Sequence, residues 1–173
     1  MAVDGRPVAG PTSRTERVLP AALRVTAGVL WLSNVSWKIP PDFGRSADGC
    51  SGLCGYVETG VEDAVFPPWS WVLENVIAPN LTAFGYLTLL TEFLLAALLL
   101  SGTLTRAVAL LGIGQSLAIG LTVANAEGEW YWSYLLMAAL HVAIFAMAAG
   151  RFYGVDALLR RRPNRPRWLE LAT

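Results

Sequence analysis

The chain has 173 residues, 54% hydrophobic and only 15% charged, with a mean hydropathy of +0.47. Soluble domains carry about 25% charged residues, so this composition excludes a water-soluble globule, a nucleic-acid binder and a disulfide-stapled secreted domain. One small polytopic membrane domain remains, whose thirteen basic and thirteen acidic residues cancel overall but segregate along the chain.

Residues 1–17 are polar, with Gly, Pro, Thr and Ser, and read as a flexible cytoplasmic tail without a removable signal peptide. The first apolar stretch, 19–37, then serves as the insertion signal. Its polar and small residues Arg24, Gly28, Trp31, Asn34 and Lys38 recur at spacings of three and four, which puts them on one helix face. A long outer loop, about 39–83, follows. Within it Pro67-Pro68 opens and Pro79 closes a segment with Trp69, Val72, Val76 and Ile77 on one side. That pattern predicts a short helix lying in the outer membrane interface.

Three further apolar stretches, 84–102, 107–123 and 131–149, are each close to the ~20 residues that cross a bilayer core. The connections 103–106 and 125–130 are short, so consecutive spans are antiparallel neighbours. The second span carries Gly85, Thr88, Glu92 and Ala96 on one face, the third Gln115, Thr122 and Asn125, and the fourth Tyr134, His141 and Phe145. Small residues at Gly112, Ser116 and Gly120, and at Ala139, Ala143, Ala146 and Gly150, are packing features. Residues 158–173 form a basic cytoplasmic tail. The expected fold is all-α: an up-down-up-down four-transmembrane-helix bundle over 18–157, with an extracytoplasmic loop carrying a short interfacial helix.

Charge sets the orientation. Arg6, Arg14 and Arg17 precede the first span, Arg106 lies in the second connection, and Arg151, Arg160, Arg161, Arg162, Arg165 and Arg167 follow the last. The outer loop instead carries Asp42, Asp48, Glu58, Glu62, Asp63 and Glu74, and the last connection Glu127 and Glu129. Basic residues near span ends stay inside, so both termini are expected in the cytoplasm of a cell whose inner membrane holds the chain. Trp37, Trp69, Trp71, Trp130 and Trp132 fall at the outer boundary, where indoles anchor among headgroups. Twelve arginines against one lysine fit a GC-rich bacterial genome.

The residues that should not be in hydrocarbon are the most informative. A charge at the bilayer centre costs roughly 3 kcal/mol, yet Glu92 lies about 12 Å and His141 about 16 Å below the outer ends of their spans at ~1.5 Å per residue. Glu92 with His141, and Lys38 or Arg24 as counter-charge, forms a predicted buried cluster. A carboxyl and an imidazole can serve a quinone head or carry protons; the alternative is a structural salt bridge that fixes packing. Asn34 and Gln115 read first as interhelical hydrogen-bond partners.

Cys50 and Cys54 sit in the outer loop as Cys-Ser-Gly-Leu-Cys. A disulfide persists outside the cytoplasm, and the spacing favours a structural bridge over a redox pair, which is more usually Cys-x-x-Cys, or two free thiols. No His or further Cys lies near them in sequence, so no metal is expected. One histidine cannot ligate haem from both sides, and no nucleotide or zinc motif is present. The chain is therefore expected to bind no cofactor of its own. A diffusible quinone, the thiols or a partner would supply any redox chemistry.

Several features resemble one family: Leu23-Arg24 to Trp37-Lys38, then Phe84-Gly85, Glu92, Leu100-Ser-Gly-Thr-Leu-Thr-Arg106, and finally Ala149-Gly-Arg-Phe-Tyr-Gly-Val-Asp156. Over about residues 17–160 they resemble the DoxX/DoxD family of four-span membrane proteins, and the outer insert is closer to the DoxD-like branch. That resemblance implies a subunit of a thiosulfate:quinone oxidoreductase or, for DoxX relatives, of a membrane oxidoreductase complex with a superoxide dismutase and a sulfurtransferase. Lys38, Glu92, Arg106 and Asp156 match the family's recurrent polar positions. Three functions stay open at this point. The first is an accessory integral subunit of a respiratory or redox complex, bordering a quinone or proton site and surrounded by lipid and larger membrane subunits. The second is the membrane subunit that passes electrons from thiosulfate or a thiol to quinone. The third is a small-solute or proton transporter, disfavoured by the absence of an inverted repeat.

Overall fold

A computed structural model describes residues 13–164 and 166–173. Most of the expected N-terminal tail, Arg6 with it, and Arg165 lie outside these residues. The fold is mostly helical. Helix α1 (Arg14–Val35) begins within the segment expected to be tail, because Ser13 and Glu16 close a capping box. The Ser13 hydroxyl accepts from the Glu16 amide at 3.1 Å, and the Glu16 carboxylate accepts from the Ser13 amide at 2.9 Å.

The outer loop is more ordered than its composition suggests. A two-residue hairpin, β1 (Arg45–Ser46) with β2 (Gly49–Cys50), leads into an unexpected helix α2 (Gly52–Asp63). Its inner face is Cys54, Val57 and Gly60, at three-residue spacing. A Cβ on Gly60 would collide with Thr122 and Leu73, so glycine is what lets α2 settle on the bundle. Phe43, 1% exposed, packs on Gly85 and completes a second apolar cluster with Cys54, Val57 and Leu81.

The interfacial segment begins as expected at Pro67-Pro68 but does not end at Pro79. Helix α3 (Pro67–Val72) passes through a π turn (Leu73–Ile77) and a 3-10 turn (Ala78–Asn80) into α4 (Leu81–Ser101). Pro79 lacks an amide and its ring clashes with the preceding turn of an α-helix. The widened π turn just before it, closed by the Ala78 amide on the Leu73 carbonyl, absorbs that misfit.

Helices α5 (Thr105–Val123) and α6 (Trp132–Met147) follow, then a 3-10 turn (Ala149–Arg151), α7 (Val155–Leu159) and α8 (Arg167–Ala172). Helix α1 packs against α4 and α5 against α6, and the two pairs meet more loosely. The helices of each pair are antiparallel: Arg24 and Asn34 of α1 reach Leu99 and Glu92 of α4, while Gly112 and Gly120 of α5 lie against His141 and Tyr134 of α6. Among the described residues α1, the continuous rod Pro67–Ser101 and α5 are long and apolar enough to cross a membrane; α6, at 16 residues, is apolar but shorter. The glycine stripe of α5 receives side chains rather than a backbone, and Ala139 and Ala146 face outward instead of forming a seam. The chain's last helix is not loose tail: Leu169 is buried and α8 packs on α5.

One end of the bundle is fastened by the residues that carry the family resemblance. Helix α4 closes on Gly102 (φ +70°), whose Cα meets that of Gly154 so closely that neither position has room for a Cβ. The buried Asp156 carboxylate accepts from the first amides of α5, Leu104 at 2.7 Å and Thr105 at 2.9 Å, while the Asp156 amide donates to the Gly102 carbonyl at 2.9 Å. An acid at a helix N-terminus satisfies orphan amides and the positive end of the dipole together. Arg24 bridges the same region, donating to the carbonyls of Leu99, Leu100 (2.9 Å) and Tyr153 (3.4 Å).

Candidate functional site

Above that fastening and an apolar core of Leu95, Leu99, Val108 and Ile144, the helix pairs diverge around a cavity of about 610 Å³. This is within the range of small-molecule sites. Leu53, Tyr56 and Val57 of α2 and Trp69 of α3 roof it. Leu81, Phe84, Ile77, Leu111, Ile119, Val123 and Met137 make its walls largely apolar. Leu30, Leu87 and Leu111 belong to the wall yet are 44–57% exposed, and the cavity is not sealed from the surroundings.

One wall is polar, and its residues come from the stripes read in the sequence. Glu92 is fully buried on α4, with the Lys38 ammonium 2.7 Å from its Oε2 and the Asn34 amide donating to Oε1 at 3.0 Å. Lys38 also donates to the Asn34 carbonyl at 2.9 Å and stands 3.9 Å above the Trp37 ring. The Trp37 indole in turn donates to Asn34 Oδ1 at 3.1 Å, fixing which way the amide points. Gln115, Thr88 and Thr91 face the same space.

The structure divides the expected cluster. Lys38, three residues beyond the end of α1, is the counter-charge of Glu92; Arg24 is at the far end of the bundle, holding helix-terminal carbonyls. His141 is also separate. Its Nε2 accepts from the Trp31 indole at 2.9 Å and its Nδ1 is 2.7 Å from the Met137 carbonyl. An indole N–H only donates, so the imidazole is the neutral Nδ1–H tautomer with both nitrogens engaged. Fully buried against Gly112, it packs rather than faces the cavity.

The tryptophans divide as well. Trp37, Trp71, Trp130 and Trp132 are exposed at the end of the bundle opposite that fastening, whereas Trp69 turns inward and donates to Thr122 Oγ1 at 3.0 Å. Cys50 and Cys54 are joined as a disulfide where β2 leads into α2. Glu58 brings a carboxylate within 4.8 Å of both sulfurs, but bridged sulfurs offer no thiolate to a metal. Sequence reasoning did not anticipate Tyr56, whose ring packs on Trp37 with centroids 5.2 Å apart. Burial, and then the charge of Glu129, push its phenol above the ordinary value. The apolar spacing of Cys54, Val57 and Gly60 was the signal that would have placed it on a helix.

The family model described as TQO small subunit DoxD matches residues 20–170, from within α1 to within α8. The chain belongs to the DoxD family. The match covers the fastened end, the polar wall and the roof of this DoxD chain alike. Comparison with curated proteins and with solved structures gave no match.

Proposed function

We propose that this DoxD chain is the small membrane subunit of a thiosulfate:quinone oxidoreductase-type complex and that its cavity takes the head of a quinone. The observation that carries the reading is the cavity itself: largely apolar walls that are not sealed from the surroundings, with Lys38, Glu92, Asn34 and Gln115 gathered on one side. A quinone partitions into lipid and presents carbonyl oxygens that want donors. Lys38 has a third N–H beyond its two bonds, and Gln115, whose amide also hydrogen-bonds Glu92, has a second N–H to offer.

The chain crosses the inner membrane four times in this reading, α6 being extended by the 3-10 turn after it. The arginine-rich end, with Arg106, Arg151, Arg160 and Arg167, lies in the cytoplasm. The outer acids Asp42, Asp48, Glu58, Glu62, Asp63 and Glu74 are all exposed and repel a dianion. Thiosulfate is therefore oxidised on a partner subunit, and this chain serves the quinone end.

The complex, purified in mild detergent, tests this with decylubiquinone as the probe. Trp31, Trp37 and Trp69 line the cavity, so binding quenches tryptophan fluorescence saturably. Thr88→Phe, which fills the cavity, and Gln115→Leu, which removes a donor, weaken it by about tenfold or more, a loss of ~1.4 kcal/mol. Absence of saturable quenching in the wild type, or a Thr88→Phe variant that binds as well, refutes the assignment.

A further inference from the structure

The cavity has a second feature that quinone binding alone does not use. Tyr134 stands in its wall, and the Tyr134 hydroxyl donates to Glu129 Oε2 at 2.6 Å. Glu129 belongs to a different pocket, about 300 Å³ on the surface between α2 and the α5–α6 connection, where Glu127 and Thr59 also lie. Tyr56 borders both spaces. Two phenols on one carboxylate, the short charge-assisted bond from Tyr134 and a second hydrogen bond from Tyr56, thus stand between the buried cavity and the surface pocket. Gly120 lies against the Tyr134 side chain, where an added Cβ would come 3.0 Å from the Tyr134 Cβ and 3.4 Å from its ring.

We propose that Glu129 and Tyr134 are the proton entrance of the cavity, a reading that rests on the quinone assignment above. Reduction takes up two electrons and two protons, Q + 2e⁻ + 2H⁺ → QH₂. The electrons come from a sulfur-anion donor on the partner subunit, two thiosulfates joining through a new S–S bond and releasing two electrons. Each proton passes from the Glu129 carboxyl to the Tyr134 oxygen as the Tyr134 hydroxyl gives up its own proton on the cavity side; Glu129 is then reloaded from the surface pocket. The buried acids and the imidazole among the described residues are committed elsewhere. Glu92 is held by Lys38 and Asn34, Asp156 caps α5, and both His141 nitrogens are bonded. Below the cavity the apolar core offers no path.

The test uses the whole complex with thiosulfate and decylubiquinone. Glu129→Gln and Tyr134→Phe keep the shape, so each binds decylubiquinone within twofold of wild type while turnover falls about a hundredfold, the usual worth of a positioned acid or base. Added acetic acid restores turnover to Glu129→Gln by reaching the surface pocket, a rescue that a merely structural role would not show. Glu74→Gln, on the exposed outer rod, turns over normally. Wild-type turnover in Glu129→Gln with binding intact, or a loss that no weak acid rescues, overturns the proton entrance and leaves the quinone site standing. Loss of binding in the wild type overturns both.

Discussion

Lys38→Met is the most direct probe of how the polar wall is held. The ammonium and the Glu92 carboxylate are 2.7 Å apart, with side chains 3% and 0% exposed. Methionine fills the same volume but leaves a buried carboxylate with neutral amides, those of Asn34 and Gln115, and no counter-charge. Removing one member of such a pair costs about 3–5 kcal/mol, whereas replacing both by neutral groups of similar shape is often close to neutral. Lys38→Met alone should therefore lower the unfolding temperature by roughly 10 °C, at the ~2–4 °C per kcal/mol expected for a chain of this size. Lys38→Met with Glu92→Gln should recover most of that. Thermal unfolding followed by tryptophan fluorescence in detergent reads both. A double variant as unstable as the single would refute the argument, because the loss would then lie in the packing of Lys38 against Trp37 and not in an abandoned charge.

Asp156→Ala removes two charge-assisted bonds from the start of α5 and should cost about 3 kcal/mol in the same unfolding assay, with Asp156→Asn recovering part. Trp31→Phe deprives His141 Nε2 of its donor; ¹⁵N chemical shifts should show the imidazole leaving the pure Nδ1–H tautomer, with about 1–3 kcal/mol of stability lost. The raised Tyr56 phenol favours the protonated form in the fold, so its contribution is present below the unfolded value of about 10 and lost as pH climbs through the folded value. Glu129→Gln should bring that titration down without returning it to the ordinary value, since burial is the larger cause; ¹³C tyrosine resonances followed against pH decide it.

Much of this was legible in the sequence because hydrocarbon punishes polar groups so heavily. The stretch expected at 84–102 is α4, Leu81–Ser101, and Arg24, Gly28 and Trp31 of the face read in the sequence are on the buried face of α1. A face, however, says nothing of reach. Arg24 and Lys38 lie on the same stripe, fourteen residues apart, and only the antiparallel pairing with α4 shows that Lys38 meets Glu92 while Arg24 meets the end of the helix. The outer loop was hardest to read. Gly52–Asp63 lacks a capping side chain, and its helical face is short and glycine-containing. Pro79 carries a stop signal that a π turn overrides. The Thr-Arg and Gly-x-Asp motifs stood out by composition, but that Gly102, Gly154 and Asp156 form one close-packed junction depends on three-dimensional proximity.

The 35 residues from Pro67 to Ser101 make a rod of about 52 Å at ~1.5 Å per residue, against roughly 30 Å for a hydrocarbon core. Some 20 Å must stand clear of the acyl chains, and that overhang bears Trp69 above the chamber while the same shaft bears Glu92 within it. Lid and carboxylate therefore travel together: a tilt of the shaft in a thinner or thicker bilayer carries both and leaves the spacing between them unchanged.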